Sequence, residues 1–423
     1  MATATETVAR PDDADSALQS LWFRIAALLV FFATVPLMTE IVAADNATAE
    51  KVAFADIPGW NGDNHLAALQ AFERSCSGPH PSVSETALSF AEETRDAPLP
   101  RRDVSLEPVC SALAQSGGSG KYDRAAARVF FESWFKPFRI TTKVGSEGHV
   151  TAYYEPVLDG ALKRDEKHTV PLFARPGDLV PITDENRPGG FPAGLAACRQ
   201  TREGIIPYPD RAELSDPESW AGLEPVAWLA DPVDAYFVHI QGSVRLHMAD
   251  GGSLRLGFAG KNGYPYRSAG KAMIERGLVP AAGMTSEAMK AWLKANPNLA
   301  ADILNVNPSY VFFRRIEGLA DDLGPIGAEG VPLTPKRSLA VDPRHIGYGM
   351  PVFVSAELPT GSAMAAEPFH QLMIAQDTGS AIRGPARGDL FWGSGDSAGE
   401  VAGRINNAAD FFVLKPRPAP AQN

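Results

Sequence analysis

From residue 310 to the end of the chain, short apolar runs of strand-forming residues recur at 310–314, 338–341, 351–355, 372–376, 388–392 and 411–414, with Gly or Pro in nearly every gap. Strands this short do not stand alone, and the tight turns between them favour closure into a small β-barrel. Only 397–407 breaks the pattern, reading as a helix with Asp396 as its N-cap. Composition agrees: Gly 38 and Pro 35 among 423 residues suit turns and strands better than a helical bundle. With 45% hydrophobic and 21% charged positions the chain can bury a core, which excludes a wholly disordered or fibrous protein.

Ahead of this region, Asp123 is placed to cap a helix in which Phe130/Trp134 and Phe131/Phe135 stand one turn apart, with Pro137 as its stop. Strand-like runs follow at 138–143 and 149–154, joined by a turn containing Gly145 and Gly148. From 157 to 305 the composition turns Pro/Gly/Asp-rich. Strands are expected there at 235–240 and 253–258, with the Ala249-Asp250-Gly251-Gly252 turn making a hairpin. A helix is expected at 286–294, carrying Met289, Trp292 and Leu293 on one face and ending at Asn296-Pro297.

The N-terminus speaks about compartment. Residues 25–38 form an apolar run behind Arg24, followed by Glu40, Ala43 and Ala44, the pattern of an export signal. Extended back to Leu21, the run approaches the roughly 20 residues that span a bilayer. A retained anchor and a cleaved signal both place the rest of the chain outside the cytoplasm. Cys76, Cys110 and Cys198 are too few for a zinc framework; one disulfide is possible in an exported protein, and spacing does not say which pair forms it. A formal charge of -11 and the lack of a Lys/Arg cluster argue against a nucleic-acid partner.

The histidines show no metal-ligand spacing, and no GxSxG, Walker A or GxGxxG stands in a strand-turn-helix setting, so neither metal nor cofactor is expected. Carboxylates remain. Asp342 ends the strand SLAVD, Asp377 follows an apolar strand and Asp389 opens another. Partial desolvation at a strand end raises a carboxyl pKa, letting the group donate a proton near neutral pH. The bland alternative is that Asp342 and Asp377 bond turn amides. Asp377-Thr378-Gly379 is also an aspartic-protease string, but without a second D-[ST]-G one chain cannot form the paired site.

Taken in order, TAYYEP (151–156), FVHIQGSVRL (237–246), AGKNGYPYRSAGK (259–271), ANPN (295–298), NPSYVFF (307–313), GPIGAEGVPLTPKRSLAVDP (324–343) and AQDTGSAIRGPARGDLFWGSGDSAG (375–399) resemble the membrane-bound lytic murein transglycosylase A family. The resemblance implies a mainly β fold: a double-psi β-barrel with a second, inserted β-domain and a groove between them. It divides the chain into a signal or anchor (1–44), a first barrel segment with N-terminal helices (45–156), the insert (157–305), a second barrel segment called the 3D domain (306–415) and a disordered tail (416–423). Asp342, Asp377 and Asp389 match that domain's three aspartates.

It further implies cleavage of peptidoglycan glycan strands to 1,6-anhydro ends in the periplasm, with residues 21–43 as a membrane anchor if uncleaved and other cell-wall enzymes as partners. Asp389 would be the catalytic acid, Asp377 its tuner and Asp342 structural, with Gly388 leaving space for the sugar. Sugar rings need flat apolar faces beside directed hydrogen bonds, which Tyr153, Tyr154, Glu155, Gln241, Tyr264, Tyr266 and Trp392 could supply, Tyr154 and Gln241 foremost. A non-catalytic glycan-binding protein and a hydrolytic glycosidase are the competing readings. Ser380 and Val244 depart from the family's usual Gly; Ser380 is tolerable in its tight loop only at negative φ. The family's lipid-bearing Cys is absent.

Overall fold

The computed structural model describes residues 47–78, 105–142, 148–360 and 365–417. The N-terminal apolar run and most of the Pro-rich tail lie outside these residues. Among the described residues no helix is long and apolar enough to cross a membrane.

The chain begins with β1 (Ala47–Lys51), then the helices α1 (His65–Ser77), α2 (Glu107–Gln115) and α3 (Arg124–Trp134). A Cys76–Cys110 disulfide, Cα atoms 5.3 Å apart, ties α1 to α2 and leaves Cys198 as a buried free thiol. Asp123 caps α3 as expected, its Oδ1 accepting from Ala126 N at 2.7 Å. Pro137 is not the stop, however. Phe135 is already extended (φ -126°, ψ 163°) and opens β2 (Phe135–Thr142), because its ring is drawn into the core beside Phe72 and Phe131.

Next come β3 (Gly148–Glu155), β4 (Val157–Gly160), β5 (Val170–Phe173), β6 (Leu179–Pro181), β7 (Ala197–Gln200), β8 (Ile205–Ile206), the short helix α4 (Arg211–Leu214) and β9 (Pro225–Leu229). The expected strand at 235–240 is instead the helix α5 (Pro232–Gln241). Asp231 caps it through Val233 N and Pro232 occupies its first turn, start signals that outweigh the β-branched residues within. The hairpin over 249–252 is real, but it joins β10 (Ser243–Met248) to β11 (Ser253–Lys261).

Three helices follow, α6 (Ala269–Glu275), α7 (Ser286–Ala295) and α8 (Pro297–Leu304). Met289 and Leu293 of α7 are buried, as their spacing requires, and Pro297 both ends α7 and opens α8. The strand expected to begin the second barrel segment, β12 (Val311–Ile316), pairs with β11 instead, in a sheet ordered β12-β11-β10-β4. That sheet therefore runs past the boundary expected at 305, since Phe313 is needed in the core beneath it.

The remaining elements are β13 (Ser338–Val341), β14 (Pro351–Leu358), β15 (Glu367–Asp377), β16 (Arg387–Ser394), α9 (Asp396–Ala402) and β17 (Asn406–Pro416). Gly395, not Asp396, is the N-cap of α9. The helix stops at Ala402 because Asn406 and Asn407 are claimed by pairing with β3. Strands β17, β14, β15, β13, β16 and β3 follow one another around a closed barrel of the double-psi type, β3 returning to β17, while β2 and β1 extend from β17 outside the ring.

Alternate residues of the barrel strands feed two cores. Val352, Val354, Met373, Ala375, Phe411 and Val413 fill one cluster, shared with Leu339, Val341 and Leu390. Their neighbours Phe353, Leu372, Ile374, Phe412 and Leu414 face the other way, onto α1, α2 and α3. Burial on both faces explains why these strands read as unbroken apolar runs.

Candidate active site

Two carboxylates meet across one strand. The parallel pairing of β13 with β15, shifted by a bulge after Leu339, sets Asp377 opposite Ala340; the antiparallel pairing of β13 with β16 sets Asp389 opposite the same residue. On the far side of β16, the parallel strand β3 brings Thr151 into register with Asp389 and Tyr153 with Phe391. Backbone ladders thus fix the acids and their partners.

Thr151 Oγ1 donates to Asp389 Oδ1 at 2.5 Å and accepts from Arg387 Nη2 at 2.6 Å. Burial pushes the Asp389 carboxyl up to about 6, with the charge of Asp377 adding to the rise and Arg387 and Thr151 opposing it. Asp377 accepts from Tyr153 Oη at 2.6 Å on Oδ2 and from Ala328 N at 2.9 Å on Oδ1, and burial raises it too. Burial and the Asp377 charge drive Tyr153 well above the ordinary phenol range, so it remains a donor. Asp377, Asp389, Thr151, Tyr153 and Arg387 all face a cavity of about 310 Å³ between the barrel and the β12-β11-β10-β4 sheet.

Asp342 is outside that cavity. Burial pushes its carboxyl up, but Arg344 (Nη2 2.6 Å) and the amides of Gly384 (2.8 Å) and Arg344 outweigh burial and hold it below its usual value, so it stays ionised as a loop anchor. Gly388 does not make room for a ligand. A Cβ there would come within 2.9 Å of both Leu339 and Phe411, so the glycine serves packing inside the barrel. Ser380 meets its condition: among the described residues Lys336 is the only non-glycine with positive φ. Val244 is buried in the core under the second sheet.

The expected sugar-contacting residues divide. Tyr153, Gln241 and Tyr266 line the cavity; Tyr154, Glu155, Tyr264 and Trp392 are not among its walls. Along a strand neighbouring side chains face opposite ways, so Tyr153 toward the cavity turns Tyr154 away, its ring against Gly399 of α9. Burial lifts the Tyr154 phenol to about 12. Gln241 Oε1 accepts from Tyr154 N at 3.0 Å. Glu155 is buried, accepting from Arg245 Nη2 at 3.1 Å and Ser394 Oγ at 2.7 Å, a clamp between β3, β10 and β16. Tyr264 packs on the cluster of Ile182, Leu195 and Cys198. Trp392 lies in the barrel cluster beside Phe369, with Lys336 Nζ 4.7 Å from its ring.

Several wall residues were not singled out from sequence: Thr151, Arg387, Arg211, His239, Lys261 and Arg314. Thr151 and Arg387 each stand two residues before a named site residue, and strand parity alone would have found them. The other four come together only through the fold. Among the described residues no three His, Cys, Asp or Glu gather as metal ligands.

Two family models match the chain: the MltA specific insert domain over residues 149–314 and the 3D domain over residues 337–415. Membrane-bound lytic murein transglycosylase A of Escherichia coli K12 is 32% identical over 244 residues, covering 54% of this chain and 65% of that protein. The Vibrio cholerae protein of the same name is 30% identical over 279 residues, covering 64% and 66%. The chain thus spans just under two thirds of the length of these relatives. Among solved structures, a membrane-bound lytic murein transglycosylase from Agrobacterium tumefaciens superposes with a TM-score of 0.72 at 36% identity, covering 88% of this chain and 98% of that one. MltA from Neisseria gonorrhoeae gives 0.70 at 30% identity, covering 90% and 95%.

Proposed function

The chain belongs to the membrane-bound lytic murein transglycosylase A family, and from that premise we propose that it cleaves the β-1,4 bond between N-acetylmuramic acid and N-acetylglucosamine in peptidoglycan, leaving 1,6-anhydro ends. Asp389 carries the reaction. Protonated, it donates to the bridging oxygen as the C1–O bond breaks and positive charge develops at C1. As carboxylate, it takes the proton of the same sugar's C6 hydroxyl while O6 bonds to C1. No water enters, and the acid returns to its starting state.

One observation supports this reading above the others: a single carboxyl, raised to about 6, faces a cavity whose other acid is already engaged. Hydrolytic glycosidases need a second free carboxylate, about 5.5 Å away for retention and farther for inversion. Both oxygens of Asp377 are spent on Tyr153 and Ala328, which suits a tuning role better than that of nucleophile or base. Tyr153, Gln241 and Tyr266 are the groups we assign to sugar binding.

We also place the protein in the periplasm, with residues 1–44 as signal or 21–43 as inner-membrane anchor. Residues 45–156 and 317–415 are read as the two barrel segments around an insert ending with β12. Digestion of purified sacculi tests the activity: muropeptides lighter by one water than their hydrolysed counterparts are expected. Reducing ends alone would make the protein a hydrolase, and intact sacculi that retain it would make it a binding protein.

A further inference from the structure

The cavity wall opposite the acids contains a buried cation that the chemistry of Asp389 does not use. Arg211, the first residue of α4, is 5% exposed, and among the described residues no carboxylate lies within ion-pair distance of it. Its guanidinium is held by neutral acceptors instead. Nε donates to Asn307 O at 3.0 Å, Nη2 to Ser309 O at 2.5 Å and Nη1 to His239 Nδ1 at 2.8 Å. The rings of Tyr236 and Tyr310 lie 4.8 and 5.4 Å from its central carbon. Carbonyls and ring faces orient the charge without neutralising it, and a buried charge lacking a counter-ion is costly.

His239 is 6% exposed and packs on Tyr310 and Phe313, ring centroids 4.3 and 5.6 Å away. Burial and the neighbouring Arg211 keep the ring neutral, and since Nδ1 accepts from Arg211 the ring proton is on Nε2. That donor has no acceptor among the described residues. Arg211 and His239 border the cavity of Asp389 and also a second one of about 710 Å³, walled by apolar residues such as Trp220, Leu293 and Leu304.

An unspent buried donor backed by an unneutralised guanidinium is a receptor for a negatively charged oxygen. We propose that Arg211 and His239 bind a carboxylate of the substrate at the junction of the two cavities, and that this carboxylate belongs to the peptide arm of the muramic acid residue. The inference rests on the glycan reading above and adds which part of the substrate is recognised. In a peptide-bearing strand the lactyl carboxyl of the muramic acid residue is tied up as an amide, so the sugars being cleaved present only neutral hydroxyl, N-acetyl and amide groups. The peptide arm branches from the same ring and carries the negative charge. The second cavity offers apolar room for its side chains.

The test compares kcat/KM on peptide-bearing glycan strands with that on the same strands stripped by an amidase and then capped at the freed lactyl carboxyl as the neutral methylamide. His239→Phe keeps the ring stacking and removes the donor, and the preference for peptide-bearing strands is expected to fall about tenfold or more. His239→Gln, which retains an N–H, should recover part of it. An equal loss on both substrates overturns the proposal, as does a preference that His239→Phe leaves unchanged. Binding separates this inference from the reaction itself. In Asp389→Asn protein, tighter binding of a muropeptide than of its peptide-free sugar capped as the neutral lactyl methylamide, abolished by adding His239→Phe, supports the site even if wild-type products prove to be reducing ends. Equal binding of the two overturns the site even if the products are anhydro.

Discussion

The two walls of the cavity handle charge in opposite ways. On the barrel wall, Asp377 and Asp389 project from strands locked into register around Ala340, and burial drives both toward their protonated forms. On the insert wall, Arg211 stands at a helix start while Lys261 and Arg314 lie on β11 and β12, and apart from His239 and the Tyr266 phenol every ionisable group that wall contributes is basic. Proton transfer tolerates little error in position, which a hydrogen-bonded ladder supplies. Recognition of a charged or polar group tolerates more, so it can be left to helix ends and loops.

Substitutions on the barrel wall should break this contrast most sharply. Asp389→Asn is expected to cost about a thousandfold or more in formation of anhydro products without loss of the fold, measured by product mass spectrometry beside a thermal melt. A nearly full rate would transfer the chemistry elsewhere. Asp377→Asn should cost less, about a hundredfold, and should also move the pH profile. Activity needs protonated Asp389 and so falls as pH rises through about 6. Removing a neighbouring negative charge lowers that pKa, so the falling limb moves to lower pH.

Thr151→Val should act with the opposite sign. Its hydroxyl favours the Asp389 anion, so losing it raises the pKa and moves the limb to higher pH, with a drop in rate of about tenfold. Shifts in the same direction for the two variants would sink the account of the barrel wall. The smallest effect on catalysis is expected away from both walls. Glu329 is buried, pushed up to about 7 by desolvation, and accepts from Ser75 Oγ at 2.7 Å. Its folded pKa exceeds its unfolded one, so the folded state binds more protons between them and stability falls as pH rises from about 4.5 to about 7. Glu329→Gln should flatten that decline, by up to about 3 kcal/mol at the upper end, as read from melts across pH.

The acids were legible because an acid at the end of an apolar run is anomalous in one dimension as well as in three. Which acid stays ionised was not. Asp342 and Asp389 look alike in sequence, yet Arg344 and Gly384 hold the first while a narrow cavity desolvates the second. Tyr153 and Tyr154 form the same lesson at shorter range: both are aromatic and adjacent, and strand parity decides which one reaches the cavity. Residues 235–240 include the strand-favouring Tyr236, Phe237, Val238 and Ile240, yet the Asp231-Pro232 start signal makes them helical. The end of α9 was misplaced because a distant strand, β3, competes for Asn406 and Asn407.

Local chemistry written along the chain determined the barrel-forming strands, the turn over 249–252, the cap of α3 and the strand-end acids. These depend on residues a few positions apart, where propensity and periodicity act directly. Tertiary structure alone decided that Cys76 pairs with Cys110, that Asp377 and Asp389 face each other across Ala340, and that Arg211 meets His239 without a counter-ion. Such pairings, and the burial that sets a group's protonation, depend on which distant segments exclude water from it.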